Sequence, residues 1–405
     1  MPENPGIVIA GGGFAGAWAA AAATRALRAA GARHPVTLVA PTDDLVIRPR
    51  LYEAAPHRMR VPLDHFLAPI GVRRVKATVT DVDTAARSVT VRTPDGAETR
   101  RTYERLILAT GSRLTAPEIP GGEHLHAVDT LETAVALDRH LHALPSGPAT
   151  AGRFTAVVVG AGFTGLELAT ELVTRLRTIA AAHGSQHEVR VVLVGRDENV
   201  GLGSGPRAVI EDALTGLGIR TRLAVTPEEV DAEGVTLSDG SRIAARTVVW
   251  TAGVEADGLT ARIPGDRDDM GRLRVDPYLR VGAAPGVYAA GDAAAAVVED
   301  GHLTMPSCQH AIPMGKYAGH NAAADLLGRP LTAFAPKTYV TCLDLGAAGA
   351  VFTTGYDRTV ELTGAEAKTR KRLITEQWIY PPLHDAARIL AAADPLVLTG
   401  ARPAS

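Results

Sequence analysis

Two stretches of the chain repeat one pattern: a short apolar strand, glycines in G-x-G-x-x-G spacing, then a helix. The first reads GIVIAGGGFAGAWAAAAATRALRAAG, with Ile7, Val8 and Ile9 followed by Gly11, Gly13 and Gly16. The second reads FTAVVVGAGFTGLELATELVTRLRTIAAAHG, with Val157 to Val159 followed by Gly160, Gly162 and Gly165. The first glycine permits a tight turn, the second lets backbone approach a pyrophosphate, and the third lets helix and strand pack closely. The helix start then offers free N–H groups and the positive end of its dipole. One such match is weak, because glycine-rich turns also arise for packing reasons. Both copies, however, have a strand before, a helix after and a further strand at the right distance, HPVTLVA and HEVRVVLVGRDENV. Two such βαβ openings predict two dinucleotides, hence a flavin and a nicotinamide. The cofactor-binding candidates are Gly11, Gly13, Phe14, Ala15 and Gly16 in the first turn, and Gly160, Gly162, Phe163, Thr164 and Gly165 in the second.

The rest of the chain is compatible with that expectation. With 405 residues and 46% hydrophobic side chains, it is too long for one ordinary core and predicts two or three domains. A net charge of −2 gives no global field for nucleic acid or an anionic membrane. The two cysteines, Cys308 and Cys342, form neither a disulfide framework nor a CxxC pair. The start lacks the basic and apolar regions of a signal peptide, and no apolar run approaches the roughly 20 residues of a transmembrane helix. A cytoplasmic protein is the expectation.

Two strands end alike. YERLILATGSR ends in Ala109-Thr110-Gly111, and RTVVWTAGV ends in Thr251-Ala252-Gly253. RLRVDPYLRVGAAPGVYAAGD then leads to Gly291-Asp292. An Asp between strand and helix serves as an N-cap in many proteins. In this setting Ala109, Thr110, Gly111, Gly291 and Asp292 are candidates for holding the flavin dinucleotide, and Gly253 for the second nucleotide.

Taken together, IVIAGGGFAG, LILATGSRL, VVVGAGFTGLELATEL, VVWTAGV, GVYAAGD, CQHAIPMGK and KRLITEQWIYPP resemble the two-dinucleotide flavoproteins. Within them the chain is similar to the type II NADH dehydrogenases, which are NADH:quinone oxidoreductases. The resemblance implies two Rossmann-like domains, the second inserted in the first, and a small C-terminal α+β domain. The implied division is 1–118 and 271–330 for FAD, 119–270 for NAD(P) and 331–405 for the C-terminal part. The implied chemistry is hydride transfer from NADH or NADPH to FAD, then two electrons to a quinone-like acceptor; the cofactor does the redox step and the protein positions it. Glu167, in GFTGLELATEL, matches the family's carboxylate near flavin and nicotinamide. A carboxylate in the first turn of a helix is also favourable for dipole reasons alone. Glu171, a turn later, reads as a surface or helix–helix contact.

Three departures qualify the resemblance. The first unit's second strand ends in Ala40-Pro41 where an acid normally holds a ribose, with Asp43 and Asp44 slightly later. The second unit has Gly195 there, followed by Arg196. Losing the acid and gaining an arginine suits a 2′-phosphate, hence NADPH; the alternative is a solvated Arg196 with Asp197 or Glu198 on the ribose. The family's acceptor-side helix carries two glutamines beside the flavin. Gln309, Ala311, Gly315 and Lys316 fit that pattern, whereas Cys308 replaces an alanine and Met314 stands for the second glutamine. Gln309 and Glu167 are the catalytic candidates, with Met314 expected to bring an apolar side chain to the acceptor pocket.

Arg48, Arg50, Tyr52 and His57 either line the acceptor site or form a charged surface turn. His124 and His126 read as a surface loop, and no metal site is expected. Lys368, Arg370, Lys371 and Arg372 precede Trp378 and Tyr380 and raise peripheral attachment at the inner membrane face, although such a cluster is usually a solvated face. The reading leaves room for a homodimer. Two other functions compete with it: a soluble flavoenzyme acting on a specialised small molecule, and a non-enzymatic nucleotide-binding protein on a degenerate fold.

Overall fold

The computed structural model describes residues 5–397. Its first sheet is parallel throughout, in the spatial order Val287–Ala289, Arg105–Leu108, Ile7–Ala10, Val36–Ala40, Arg73–Lys76. Ile7–Ala10 is the central strand and every residue in it is buried. A strand covered on both faces requires such a continuous apolar run. Helix α1 (Phe14–Ala29) follows it and presents an almost unbroken alanine face. The second sheet is also parallel, ordered Arg220–Arg222, Arg190–Val194, Thr155–Val159, Thr247–Trp250. Helix α2 (Phe163–Ala181) follows its central strand.

Each parallel sheet carries the same accessory piece, a three-stranded antiparallel meander just before its return strand. In the first unit the meander is Thr78–Asp83, Ser88–Arg92 and Glu98–Thr102. In the second it is Pro227–Asp231, Gly234–Leu237 and Arg242–Ala244. The two units are thus built to one plan. The connections leaving and re-entering the first unit pair with each other, Ser112–Leu114 antiparallel to Val254–Ala256. The chain then returns to the first sheet as Val287–Ala289 and enters helix α3 (Cys308–Leu326).

Helices α1 and α3 touch backbone to backbone. A β-carbon on Gly315 would lie 2.2 Å from the Ala15 carbonyl oxygen, and one on Gly319 would lie 2.1 Å from that of Ala19. Glycine is therefore required at both positions, and the contact sets α3 firmly over the first glycine turn. The last part is an antiparallel sheet, Val340–Asp344, Ala350–Thr354 and Thr359–Thr363, covered by helix α4 (Gly364–Leu373). A π-helical turn, Ile374–Trp378, continues α4. Leu343 and Val351 of this sheet, with Leu345 just after its first strand, share one apolar core with Leu166, Leu168 and Leu172 of α2. That shared core brings α4 against the helix of the second glycine turn. Among the described residues no helix is long and apolar enough to cross a membrane.

Candidate active site

The two glycine turns have matching geometry. Gly11 has φ +113° and a β-carbon there would sit 2.2 Å from the Ala109 oxygen; Gly160 has φ +120° and would meet Thr251 Oγ1 at 2.6 Å. The third glycines, Gly16 and Gly165, would place a β-carbon 1.9 and 1.7 Å from the carbonyls of Gly11 and Gly160. The middle glycines, Gly13 and Gly162, face open space instead. Two positions are closed by packing and one is open to an incoming group, which is the division of labour a pyrophosphate cradle needs. Helices α1 and α2 begin at Gly13 and Gly162 with no side-chain cap and no acidic residue in the first turn. Their first N–H groups thus remain available to an anion.

Around the first turn, Thr110 Oγ1 is buried without a hydrogen-bond partner. A buried hydroxyl left unpaired calls for a ligand contact. Gly291 has φ +67° and would press a β-carbon within 2.8 Å of Ala15. Asp292 accepts from Ser112 Oγ at 2.7 Å and lies 3.6 Å from the Arg48 guanidinium. Arg48 also donates to Ser112 Oγ at 2.8 Å and pairs with Asp129. These groups fit a bound flavin dinucleotide: free N–H donors, an orphan hydroxyl and a positioned carboxylate converge on one turn.

Around the second turn, Gly195 directly follows the second strand, with Ala161 Cβ 3.0 Å from where its own β-carbon would be. Arg196 is 84% exposed and only loosely near Asp197, at 3.7 Å. Gly253 has φ +78°, the same value as Gly111 at the equivalent strand end.

Glu167 sits one turn deeper in α2 than the sequence suggests. It lies outside the first turn, so the dipole explanation for it fails. Its Oε1 accepts from Lys371 Nζ at 2.6 Å and from the Asp344 N–H at 3.0 Å. Lys371 Nζ also donates to the Cys342 carbonyl at 3.1 Å, and the rings of Tyr52 and Phe163 lie 5.9 Å away. Both partners are almost fully buried, at 5% and 6% exposure. Burial raises the Glu167 carboxyl above the usual range despite Lys371 beside it. Burial acts to discharge Lys371, but Glu167 more than offsets it and holds the ammonium above its ordinary value. Tyr52 donates to Asp344 Oδ2 at 3.1 Å, and Lys368 pairs with the other oxygen. Burial, then the negative charge of Glu167 and Asp344, pushes the Tyr52 phenol well up.

Lys371 was not legible as part of this site. It belongs by sequence to a basic cluster, but that cluster is split: Lys371 and Lys368 turn inward, while Arg370 and Arg372 are exposed. The available signal was the buried series Ala367, Lys371, Thr375, spaced four apart on one helical face. Glu171 is half-buried, and burial lifts its carboxyl to about 6. The segment from Arg48 to His57 divides as well. Arg50 pairs with Glu53 and donates to Tyr380 at 3.1 Å, Tyr52 is buried, and His57 is exposed.

The start of α3 differs from expectation in two ways. Gln309 is engaged with backbone: with its amide turned to suit, its nitrogen donates to Val340 O at 2.7 Å and its oxygen accepts from Val340 N at 3.2 Å. Met314 is fully buried within the main core and lines no open pocket, because α3 lies too close to α1 for that face to open. Pro313 lacks an N–H, so the carbonyl of Gln309 loses its donor within the helix. Burial pushes both thiols, Cys308 and Cys342, up to about 11. Neither is a thiolate at neutral pH, and no reactive dithiol results. His126 is not a loose surface residue: its main chain joins the strand Thr247–Trp250, and its ring lies 4.2 Å from that of His140.

Fold and site together define an oxidoreductase with two dinucleotide cradles and no dithiol. The profile of the pyridine nucleotide-disulphide oxidoreductases matches residues 5–315. An NADH dehydrogenase-like protein of Mycobacterium tuberculosis (strain ATCC 25618 / H37Rv) is 46% identical over 96% of this chain and 98% of its own length. Demethylphylloquinone reductase of Synechocystis is 27% identical, covering 92% of this chain and 91% of its own. Among solved structures, NDH2 of Plasmodium falciparum in complex with NADH superposes with a TM-score of 0.78 at 13% identity, over 96% of this chain and 97% of that one. The chain belongs to the pyridine nucleotide-disulphide oxidoreductase family, and its cofactors are FAD and a nicotinamide nucleotide.

Proposed function

We propose that the protein takes hydride from a reduced nicotinamide nucleotide onto FAD and passes two electrons to a quinone-type acceptor. The observation that carries this reading is the buried Glu167–Lys371 pair, at 2.6 Å, where α2, the C-terminal sheet and α4 meet. Reducing a quinone consumes protons as well as electrons. A carboxyl whose burial raises its proton affinity, fixed against a lysine that stays charged, can hold a proton away from bulk water. The names of relatives point the same way, an NADH dehydrogenase-like protein and a demethylphylloquinone reductase.

The chain's residues divide the work. Bound FAD supplies hydride acceptance and two-electron delivery. The first-turn N–H groups of α1 would hold its pyrophosphate, with Thr110 and Asp292 as further contacts. The first turn of α2 would hold the nicotinamide nucleotide, and Arg196 would pair with a 2′-phosphate, favouring NADPH. Glu167 would take up and release the proton while Lys371 fixes its position. Gln309 would hold the C-terminal strand against α3. We place the protein in the cytoplasm with at most peripheral membrane contact, since half of the basic cluster faces inward.

A second reading has its own observation. Gln309 is spent on Val340 and Met314 on the core, so the two-glutamine acceptor wall is missing. That favours a specialised small-molecule acceptor in place of a respiratory quinone. Turnover with NADH or NADPH and a soluble naphthoquinone separates the two. The proposal expects quinone-dependent oxidation of the nucleotide, slowed about tenfold or more by Glu167→Gln with flavin content unchanged. Absence of any quinone-dependent rate in the wild-type protein overturns it in favour of the second reading.

A further inference from the structure

The far end of the second parallel sheet carries a cavity that the redox site does not use. Nucleotides bind at the carboxyl ends of such strands. This cavity, of about 130 Å³, lies at the opposite end, beside the first residues of the strands Thr155–Val159 and Thr247–Trp250. A five-residue strand separates the two ends by roughly 15 Å. His140, Leu144, Pro148, Arg153 and Arg246 line it.

Its charge is unbalanced. Arg153 pairs with Glu188 through Nη2 at 3.1 Å, yet its Nε is buried with no partner. Arg246 has no carboxylate partner among the described residues, while its backbone N–H donates to the Gly152 carbonyl at 2.9 Å. Gly152 and Arg153 are adjacent, so that bond fixes the two arginines relative to each other. His140 Nε2 lies 3.0 Å from Thr247 Oγ1, and its ring rests on that of His126. Two guanidiniums and an imidazole therefore line one small space, and Glu188 is the only carboxylate paired with either guanidinium among the described residues. A buried donor without an acceptor and a cation without a counter-ion both call for an anion.

We propose that this cavity binds a small tetrahedral oxyanion, phosphate or sulfate, held by Arg246, Arg153 and His140. Its size suits one such ion and excludes a nucleotide. Burial keeps His140 below its usual titration range; a hydrogen bond to the Arg246 backbone partly opposes this and the charge of Arg246 adds to it. The groups facing it are His126, Thr247, Arg246, and across the cavity Arg153, which is paired with Glu188. An anion in the cavity counters the charge of Arg246 and raises the imidazole's proton affinity, so binding strengthens as pH falls.

The test uses histidine-labelled, FAD-loaded protein saturated with oxidised nicotinamide nucleotide, so that both glycine turns are filled. Sulfate, whose charge is constant between pH 6 and 8, is titrated against sodium chloride of equal ionic strength, and phosphate is compared at pH 8. The His140 resonance, assigned through His140→Gln, is followed by NMR. The expected result is a saturable shift, tighter at pH 6 than at pH 8 and weakened at least tenfold in Arg246→Ala; Arg246→Gln serves if that variant does not fold. No saturable shift of His140, or an equal shift in the Arg246 variant, overturns the proposal.

Discussion

The two glycine turns share one backbone plan and differ in their surroundings. Both close the first and third glycines by packing and leave the middle one open. The first is roofed by α3, pressed onto α1 at Gly315 and Gly319, and flanked by an unpaired Thr110 hydroxyl and the Arg48-bracketed Asp292. The second ends in an exposed Arg196-Asp197 rim, and the position equivalent to Thr110 is Ala252, which offers no hydroxyl; the neighbouring Thr251 Oγ1 is already satisfied by the Val159 carbonyl at 2.9 Å. Enclosure suits a resident dinucleotide, and an open rim suits one that must arrive and leave at each turnover. Under the proposed function the same device would serve as a permanent seat in one unit and an exchange site in the other.

The comparison can be broken most severely at the third glycines. Gly16→Val drives a side chain into the Gly11 carbonyl and should yield protein without flavin, read from the visible spectrum. Gly165→Val should keep the flavin and lose nicotinamide binding by at least a hundredfold, measured by equilibrium titration. Equal loss of flavin in both would dissolve the distinction between seat and exchange site.

Next in size is the pair that only the second unit owns. Removing one member of a buried ion pair strands the other and costs about 3–5 kcal/mol, so Lys371→Met should lower the midpoint of denaturant unfolding strongly. The double variant Glu167→Gln with Lys371→Met should recover part of that loss. A single Lys371→Met as stable as wild type would show that the pair is not closed to water.

Acid provides a third probe of the second unit. His126 is pushed down to about 4 by burial and then by His140, which is itself lowered. The unfolded chain binds these protons at about pH 6.5, before the folded one does. Stability is therefore full above that pH and falls as pH drops toward 4, by on the order of 2 kcal/mol after solvent screening. His126→Phe should flatten that slope in pH-dependent unfolding; an unchanged slope would place the titration elsewhere. The smallest effect is expected at the exposed rim. Arg196→Glu should shift the NADPH-to-NADH ratio of kcat/KM about tenfold toward NADH, by replacing a phosphate partner with a repelling charge. A ratio unmoved by the change would make Arg196 a solvated loop residue.

How much of this was readable beforehand follows the range of the interactions. The turns, their flanking strands and helices, and the family were legible because glycine spacing and apolar runs are local. Thr110, Gly111, Gly253 and Asp292 followed from strand ends by the same logic. Lys371 was hidden because its partner Glu167 lies 204 residues away. A lysine among Lys368, Arg370 and Arg372 looks solvated until the fold turns its face inward. The burial of Met314 and the Val340 contacts of Gln309 were hidden for a related reason: the closeness of α3 to α1, and the position of Val340, are properties of the packed molecule. His126 was taken for a surface loop because its strand-like pairing to Val248 and Trp250 is non-local.

The central claim is that the first turn keeps a flavin which the second turn's nucleotide reduces. Anaerobic mixing of the purified protein with NADH and with NADPH tests it most directly, with the flavin absorbance as readout. The account predicts a yellow protein whose colour bleaches with at least one nucleotide, and a Gly165→Val variant that stays yellow and does not bleach. A colourless wild-type protein that takes up no FAD, or bleaching that survives Gly165→Val, would contradict it.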